Sequence, residues 1–270
     1  MPAGRDGGAA PEPAAGLDLA ALYDAHPEYA ARRQAGSLAQ ALIDAEVRLF
    51  KLPQLQAVLP PGPPPATVIE IGCATGELLA AWPQPPGGWR IGVDISARNV
   101  AAAQARFGDI DFRCGDFRAL SLPRADALIL SDVLEHVPDD RAFLHDAAAL
   151  ADLVLLNLPL EDNWLNRGRR YGPDDVSGHL RRYGLADGLR LIEQAGLELL
   201  HWQRVWVHES PAEPACRALR RQHQGAAYSG AAPLRLAKRV VFGLAGALPP
   251  LGRRLFASNL FAAARRRPKP

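Results

Sequence analysis

Cysteine is scarce: Cys73, Cys114 and Cys216 are the three in 270 residues, odd in number and without a CxxC spacing. Such a set builds neither a disulfide framework nor a structural zinc site, and it fits a reducing, cytoplasmic setting. Long apolar runs are also missing. None reaches the roughly eighteen residues of a membrane span, and the opening MPAGRDGGAAPEPAAG has no apolar stretch of the kind a signal peptide requires. Secretion and transmembrane anchoring are therefore both disfavoured. Acidic residues are absent from a whole region: Pro214 onward contains no Asp or Glu but twelve of the 31 basic residues. The formal net charge of +2 is thus a cancellation between −10 over the first 213 residues and +12 over the remainder. Near-neutrality by itself excludes neither a nucleic-acid nor a membrane-surface partner.

What is present is enough apolar content, 48%, to build a substantial core. Residues 1–16 read as a disordered tail rich in Gly, Pro and Ala. Residues 17–65 read as two or three helices, with Asp18 near a start, closed by the stiff connector LPPGPPP from Leu59 to Pro65. From residue 66 to 207 short β-branched runs alternate with Ala- and Leu-rich helical stretches, the pattern of a parallel sheet covered by helices. Strands are predicted at Thr67 to Ile71, Trp89 to Ile95, Ile110 to Arg113, Ala125 to Leu130, Leu153 to Leu158 and Leu197 to Val205. Helices are predicted at Glu77 to Trp82, Ala97 to Phe107, Arg141 to Ala151 and Leu185 to Ala195. Residues 208–256 break this alternation and read as a basic helical insertion, before a last strand at Asn259 to Ala264 and a basic tail within 257–270.

The strongest local signal is VIEIGCATGELL, Val68 to Leu79: an apolar strand carrying Glu70, a turn with Gly72, Ala74 and Gly76, then a helix. Small residues there let the backbone approach a ligand, and the helix start offers free N–H donors. Asp94 follows at the end of the next strand, where a carboxylate can accept both hydroxyls of a ribose. Two further segments stand downstream, FRCGDF with Asp116 and Phe117, and SDVLEHVPD from Ser131 to Asp139.

Together these four segments resemble the class I S-adenosylmethionine-dependent methyltransferases of the small-molecule type. The resemblance implies a Rossmann-like α/β fold: a doubly wound, mostly parallel seven-stranded sheet with an antiparallel last strand, here with N-terminal helices and a helical C-terminal insertion added. It implies S-adenosylmethionine as cofactor and S-adenosylhomocysteine as product, held by Glu70, Gly72, Ala74, Gly76, Asp94, Ile95, Asp116, Phe117, Ser131 and Val133. In it Asp94 holds the ribose, Ile95 packs on adenine, Asp116 caps the adenine amino group, and Ser131 and Val133 line the methionine end. Ala74 departs from the family's usual glycine. The likeness extends more loosely to Ser177 to Leu199, similar to the substrate-side helix of small-molecule members.

Methyl transfer from a sulfonium needs orientation above all. If the acceptor is a hydroxyl, a base beside it helps, and His136 and His179 are the two candidates, unless each merely caps or packs a helix end. Asp132 and Glu135, three apart on a nascent helix, with His136 and His179 could converge on a divalent cation. This set resembles the magnesium site of quinone O-methyltransferases and small-RNA 2′-O-methyltransferases, with Asp132 in place of the first Glu. Metal-free methyltransferases carry a similar LEHV segment, so no metal is expected.

The loop from Leu158 to Tyr183 leaves the C-terminal end of the fifth strand and mixes Trp164, Tyr171 and Tyr183 with Arg167, Arg169, Arg170, Arg181 and Arg182. It is the expected acceptor wall, suited to a sugar or to a phosphorylated or carboxylated acceptor, unless it is a solvated surface loop. In residues 234–256, Arg235, Lys238 and Arg239 share one helical face and Leu234, Val241 and Leu244 another, a pattern suited to peripheral contact with the inner membrane face or a lipid-linked acceptor. A lid over the site or a homodimer face is the alternative. The expected function is O-methylation of a small-molecule, glycan or lipid-linked acceptor. The rivals are an RNA 2′-O-methyltransferase, disfavoured because the core is acidic and no RNA-binding module is present, and a non-catalytic cofactor-binding scaffold at membranes.

Overall fold

The computed structural model describes residues 18–163, 166, 168–172, 175, 177–224, 243–244, 247–256 and 258–267. The expected disordered tail over 1–16 and residues 234–242 and 245–246 of the amphipathic stretch lie outside the described residues.

Seven strands form one sheet: β1 (Thr67–Ile71), β2 (Trp89–Asp94), β3 (Asp111–Cys114), β4 (Ala125–Ser131), β5 (Ala151–Leu160), β6 (Leu197–Val205) and β7 (Ser258–Arg266). Their order is β3-β2-β1-β4-β5-β7-β6, and β7 alone runs against its neighbours β5 and β6. This is the Rossmann-like sheet with a reversed last strand. The central strands are apolar on both faces because helices cover both. On one face Ile69, Ile71, Leu128, Leu130, Val154 and Leu156 pack under α7 (Asp140–Ala147) and α8 (Leu185–Gln194). On the other, Val68, Ala127, Ile129, Leu155 and Phe261 meet the N-terminal helices, α5 (Glu77–Ala81) and α6 (Ala97–Arg106).

Strand β5 runs longer than its hydrophobic core predicts, because it has two partners. It pairs with β4 from Ala151 to Asn157 and with β7 from Val154 to Leu160. Beyond Asn157 the β4 side is open, so the missing N–H of Pro159 costs no ladder bond there. The same pairing ends the preceding helix early: α7 closes at Ala147, a single tight turn covers Ala148–Leu150, and Ala151 already opposes Ala125.

The N-terminal segment is more finely divided than two or three helices. Asp18 caps α1 (Leu19–Ala25), accepting the Ala21 N–H at 3.0 Å, and Pro27 opens α2 (Pro27–Arg32) at a position where its missing N–H is harmless. Next, α3 (Leu38–Glu46) continues through a widened π turn at Val47–Lys51 into α4 (Leu52–Ala57). The π turn lies just ahead of Pro53, which cannot donate to an α ladder. Its effect is to aim two side chains inward. Phe50, 2% exposed, meets Phe261 of β7 edge-on at 5.4 Å, and Lys51 reaches the carboxyl end of the sheet.

Between β6 and β7 lies the insertion, of which α9 (Ala212–Gln224) packs on α3 and α10 (Pro249–Leu255) precedes β7. Its base is fixed by Trp206 stacked on Phe256 at 5.0 Å. Among the described residues no helix is long and apolar enough to cross a membrane.

If the N-terminal helices are part of the same cooperative unit, Phe50→Ala is expected to cost about 3–5 kcal/mol of stability in chemical denaturation, with one transition retained. A second transition, or a loss well below 1 kcal/mol, would show that the segment folds apart from the sheet.

Candidate active site

Two cavities open at the carboxyl edge of the sheet. The first, about 390 Å³, is lined by Gly72 and Ala74 of the β1–α5 turn, Asp94, Ile95, Asn99, Asp116, Phe117, Val133 and Phe143, with Leu19, Tyr23 and Tyr29 of α1 and α2 on its open side. The second, about 380 Å³, is lined chiefly by charged side chains, among them Glu46, Lys51, Glu70, Glu135, Glu161, Arg169 and His179. Tyr29, Gly72, Ala74, Asp132 and His136 line both, so they form the wall where the cavities meet.

The first cavity is built as a nucleoside site. Gly72 adopts φ +77°, and a Cβ there would lie 2.5 Å from Val133 Cγ2, so only glycine lets the turn pass beneath Val133. Asp94 is 8% exposed. Its carboxylate accepts the Ala74 N–H at 2.8 Å and the Ser96 N–H at 2.8 Å, which fixes it at the cavity wall, while burial holds its pKa above the usual carboxylate range. Ile95 is exposed toward this space, and Phe117, edge-on to Phe143 at 5.0 Å, supplies an aromatic wall. Asp116 caps the turn at Phe117 by accepting the Arg118 N–H at 3.0 Å.

Seven of the ten cofactor residues expected from the sequence line this cavity; three do not. Glu70 and Ser131 face the second cavity, and Gly76 lines neither. Side chains alternate along a strand, so Glu70 points away from the face used by Ile69 and Ile71. Gly76 is a glycine for packing: at φ +85° a Cβ would stand 2.7 Å from the Phe112 ring. The Ser131 hydroxyl is spent on Asp132 at 3.0 Å and on the Asn157 amide at 2.9 Å.

The expectation that Asp132 and Glu135 share a helical face is corrected. Asp132 takes φ +56°, a short turn follows at Leu134–His136, and regular helix begins only at Asp140. Asp132 Oδ2 instead collects Lys51 Nζ at 2.9 Å, Asn157 Nδ2 at 2.9 Å and the Ser131 hydroxyl. Lys51 also meets Glu46 at 3.3 Å, and although burial opposes its charge, Asp132 and Glu46 hold its pKa above the ordinary lysine value.

Glu135, His136 and His179 do converge, each offering a ligand atom within 4.8 Å of the others. Their rings and carboxyl are oriented by neighbours. His136 Nδ1 lies 3.0 Å from the Gly178 carbonyl oxygen and His179 Nδ1 lies 2.7 Å from Glu161 Oε2. Both partners are acceptors, so Nδ1 carries the proton in each ring and Nε2 keeps its lone pair. The rings stand edge-on at 4.7 Å. Burial, then the neighbouring His179, pushes the His136 pKa down to about 4, so this imidazole is neutral. Glu135 is 1% exposed with neither oxygen hydrogen-bonded, Oε1 lying 3.7 Å from His136 Nε2, and burial together with Asp132 raises its pKa well above the usual range.

The expected acceptor wall is corrected in part. Tyr183 is 4% exposed and donates to the Leu134 carbonyl at 3.1 Å. Arg181 pairs with Asp140 at 2.9 Å and Arg182 with Asp162 at 3.5 Å. Arg169 is gripped by both oxygens of Asp175 at 2.9 Å and by Glu161 at 2.6 Å. These arginines are spent on internal carboxylates and do not wait for an anionic acceptor. Trp164 and Arg167 lie outside the described residues. Residues the sequence did not single out complete the site: Tyr23, Tyr29 and Lys51 from the N-terminal segment, and Glu161.

The family described as a methyltransferase domain matches residues 43–202, more than half of the chain. The ubiquinone biosynthesis O-methyltransferase of Rhodopseudomonas palustris (strain BisB18) is 31% identical over 158 residues, 48% of this chain and 60% of that protein. The same enzyme of Parvibaculum lavamentivorans is 29% identical over 154 residues, again 48% and 60%. The match therefore spans less than two thirds of these curated relatives. Among solved structures, the magnesium protoporphyrin IX methyltransferase of Synechocystis PCC 6803 with bound SAH superposes with a TM-score of 0.56 at 16% identity, over 92% of this chain and 98% of that one. The [4+2]-cyclase SpnF superposes with a TM-score of 0.56 at 15% identity, over 92% and 94%. At such identities the likeness shows the fold alone.

One buried group in the site has a pH signature of its own. Burial, reinforced by Glu77, raises the Glu70 carboxyl from 4.5 to about 8, so it is neutral in the folded protein at pH 7 and charged in the unfolded chain. Its contribution to stability is complete at low pH and is lost as pH rises through that interval. Glu70→Gln, neutral throughout, is expected to match the wild type at the acidic end and to exceed its melting temperature by several degrees above pH 8. A difference that stays constant with pH would show that Glu70 is ionised in the fold.

Proposed function

Because the chain belongs to the methyltransferase-domain family, S-adenosylmethionine-dependent enzymes on this sheet, we propose that it methylates an oxygen of a small-molecule or glycan acceptor, free or lipid-linked, bound in the second cavity. One observation carries this reading: a nucleoside-shaped cavity and a polar cavity share the wall Tyr29, Gly72, Ala74, Asp132 and His136, and the open imidazole nitrogens stand on the polar side. That these relatives are O-methyltransferases supports oxygen as the methylated atom.

The residues of the first cavity fit the cofactor. Asp94 would take the ribose hydroxyls, Ile95 and Phe117 would flank the adenine, Asp116 would accept its amino group, and the backbone at Gly72 to Ala74 would pass close to the methionine end. When bound, the cofactor supplies a methyl group on a positively charged sulfur, which needs little activation. What the protein adds is placement: the shared wall holds the acceptor oxygen in line with that methyl, and exclusion of water keeps the geometry, an effect worth several kcal/mol. Without a bound cation, His179 Nε2 would accept the hydroxyl proton, and the Glu161 carboxylate on Nδ1 would steady the resulting imidazolium.

The resemblance to quinone O-methyltransferases also raises a divalent cation, and the donor set fits one. Glu135 has two buried oxygens without a hydrogen bond, and His136 and His179 each have Nδ1 committed and Nε2 turned toward the cluster, as in carboxylate- and carbonyl-backed imidazole ligands. Glu135, His136 and His179 would hold the ion, which would acidify an acceptor hydroxyl beside it.

Two measurements test these assignments. Asp94→Asn removes the charge offered to the ribose, and calorimetry is expected to record a loss of S-adenosylmethionine affinity of about 1.5–3 kcal/mol, or about ten- to a hundredfold, with folding retained. Unchanged affinity would displace the cofactor from this cavity. Transfer of a labelled methyl group into cell extract separated into lipid, small-molecule and RNA pools is expected to mark one of the first two pools on oxygen and to fail after chelation until a divalent cation is restored. Label in RNA would replace the acceptor assignment, and turnover indifferent to chelation would leave His179 as base without a metal.

A further inference from the structure

The cation reading above leaves open which ion the donors select, and the surroundings of Lys51 bear on it. Family resemblance offers two carboxylates and imidazoles, a set suited to magnesium. In this chain the converging atoms belong to Glu135, His136 and His179, and those of Asp132 are not among them. The reason is local. Asp132 Oδ2 accepts from Lys51 Nζ, Asn157 Nδ2 and the Ser131 hydroxyl, and its backbone N–H is tied to the Asn157 carbonyl at 3.0 Å. Asn157 is itself held by Asn259 of β7 at 2.8 Å. Lys51 comes from the π turn of the N-terminal segment, with its side chain 13% exposed, and Glu46 is its second anion.

We propose that Lys51 withdraws Asp132 from the cation site, leaving a two-imidazole, one-carboxylate centre that selects a borderline first-row transition cation over magnesium. Magnesium prefers an octahedral shell of oxygens and gives up its waters reluctantly, and this site offers it one carboxylate. Imidazole nitrogen suits iron, nickel, copper or zinc. The ammonium group also supplies the positive charge that a second divalent-binding carboxylate would otherwise take from the ion. Lys51 is thus a positioning residue, acting on the site through Asp132.

The proposal rests on the cation reading, and a titration of the full-length chain separates the two. Cobalt(II) is added to metal-free protein and its visible absorption recorded, then magnesium is added in about a hundredfold excess. The wild type is expected to develop bands of a nitrogen-coordinated ion and to keep them in magnesium. Lys51→Met frees Asp132, and magnesium is then expected to displace cobalt at a concentration lower by at least about tenfold. Asp132→Asn, tolerated at positive φ, is expected to bind cobalt as the wild type does, and it reports even if Lys51→Met fails to fold. Ready displacement by magnesium in the wild type, a Lys51→Met titration identical to it, or cobalt binding lost in Asp132→Asn would each overturn the role of Lys51. Absence of cobalt binding in every variant would instead overturn the cation reading beneath it.

Discussion

An ammonium group carried to the end of a buried sheet must find anions there, and the Lys51–Asp132 pair is where this molecule meets that demand. Removing the lysine charge would leave Asp132 with only neutral donors, Asn157 and Ser131, and removing Asp132 would leave Lys51 with Glu46 alone. The pair joins the N-terminal helices to the turn after β4, two segments far apart in sequence. It also accounts for the backbone of Asp132: the left-handed conformation, unfavourable for a residue with a side chain, is held by Lys51, Asn157 and Ser131 together. The position of that turn then decides where Val133, Glu135 and His136 point.

From this joint the site divides into two chemistries. Toward α6 the groups are those of nucleoside recognition, a fixed carboxylate between backbone N–H donors and an apolar-aromatic slot. Toward β5 they are titratable, and burial has moved several of them off their ordinary values, Glu70 upward and His136 downward. Gly72 and Ala74 are the small residues of the wall that the two cavities share.

The cofactor half was legible in the sequence because its parts are local. A strand, a glycine turn and a helix carry their meaning in a dozen consecutive residues, and alternation of apolar side chains places each strand within a residue or two. What the pattern left unread there is facing. Glu70 lies inside the most readable motif yet points to the other cavity, and Gly76 is small to admit Phe112. The acceptor half was legible only as a list of polar residues. Its geometry depends on contacts between segments far apart in sequence, such as Lys51 with Asp132 and Asn157 with Asn259. No local pattern announces that Arg169 is spent on Asp175, or that Lys51 reaches Asp132 because a π turn rotates it inward.

The position of β7 has a consequence for the order in which the molecule is made. This strand is synthesised after all the others but lies between β5 and β6, and its Phe261 is the seat on which Phe50 rests. A growing chain therefore holds a complete set of cofactor motifs long before it has a sheet to close over them. Until β7 is in place, Phe50 lacks its seat on Phe261, although Val68, Ala127, Ile129 and Leu155 already offer the N-terminal helices a face. Closure of the acceptor side therefore rests on a non-local pairing made by the last of the described strands.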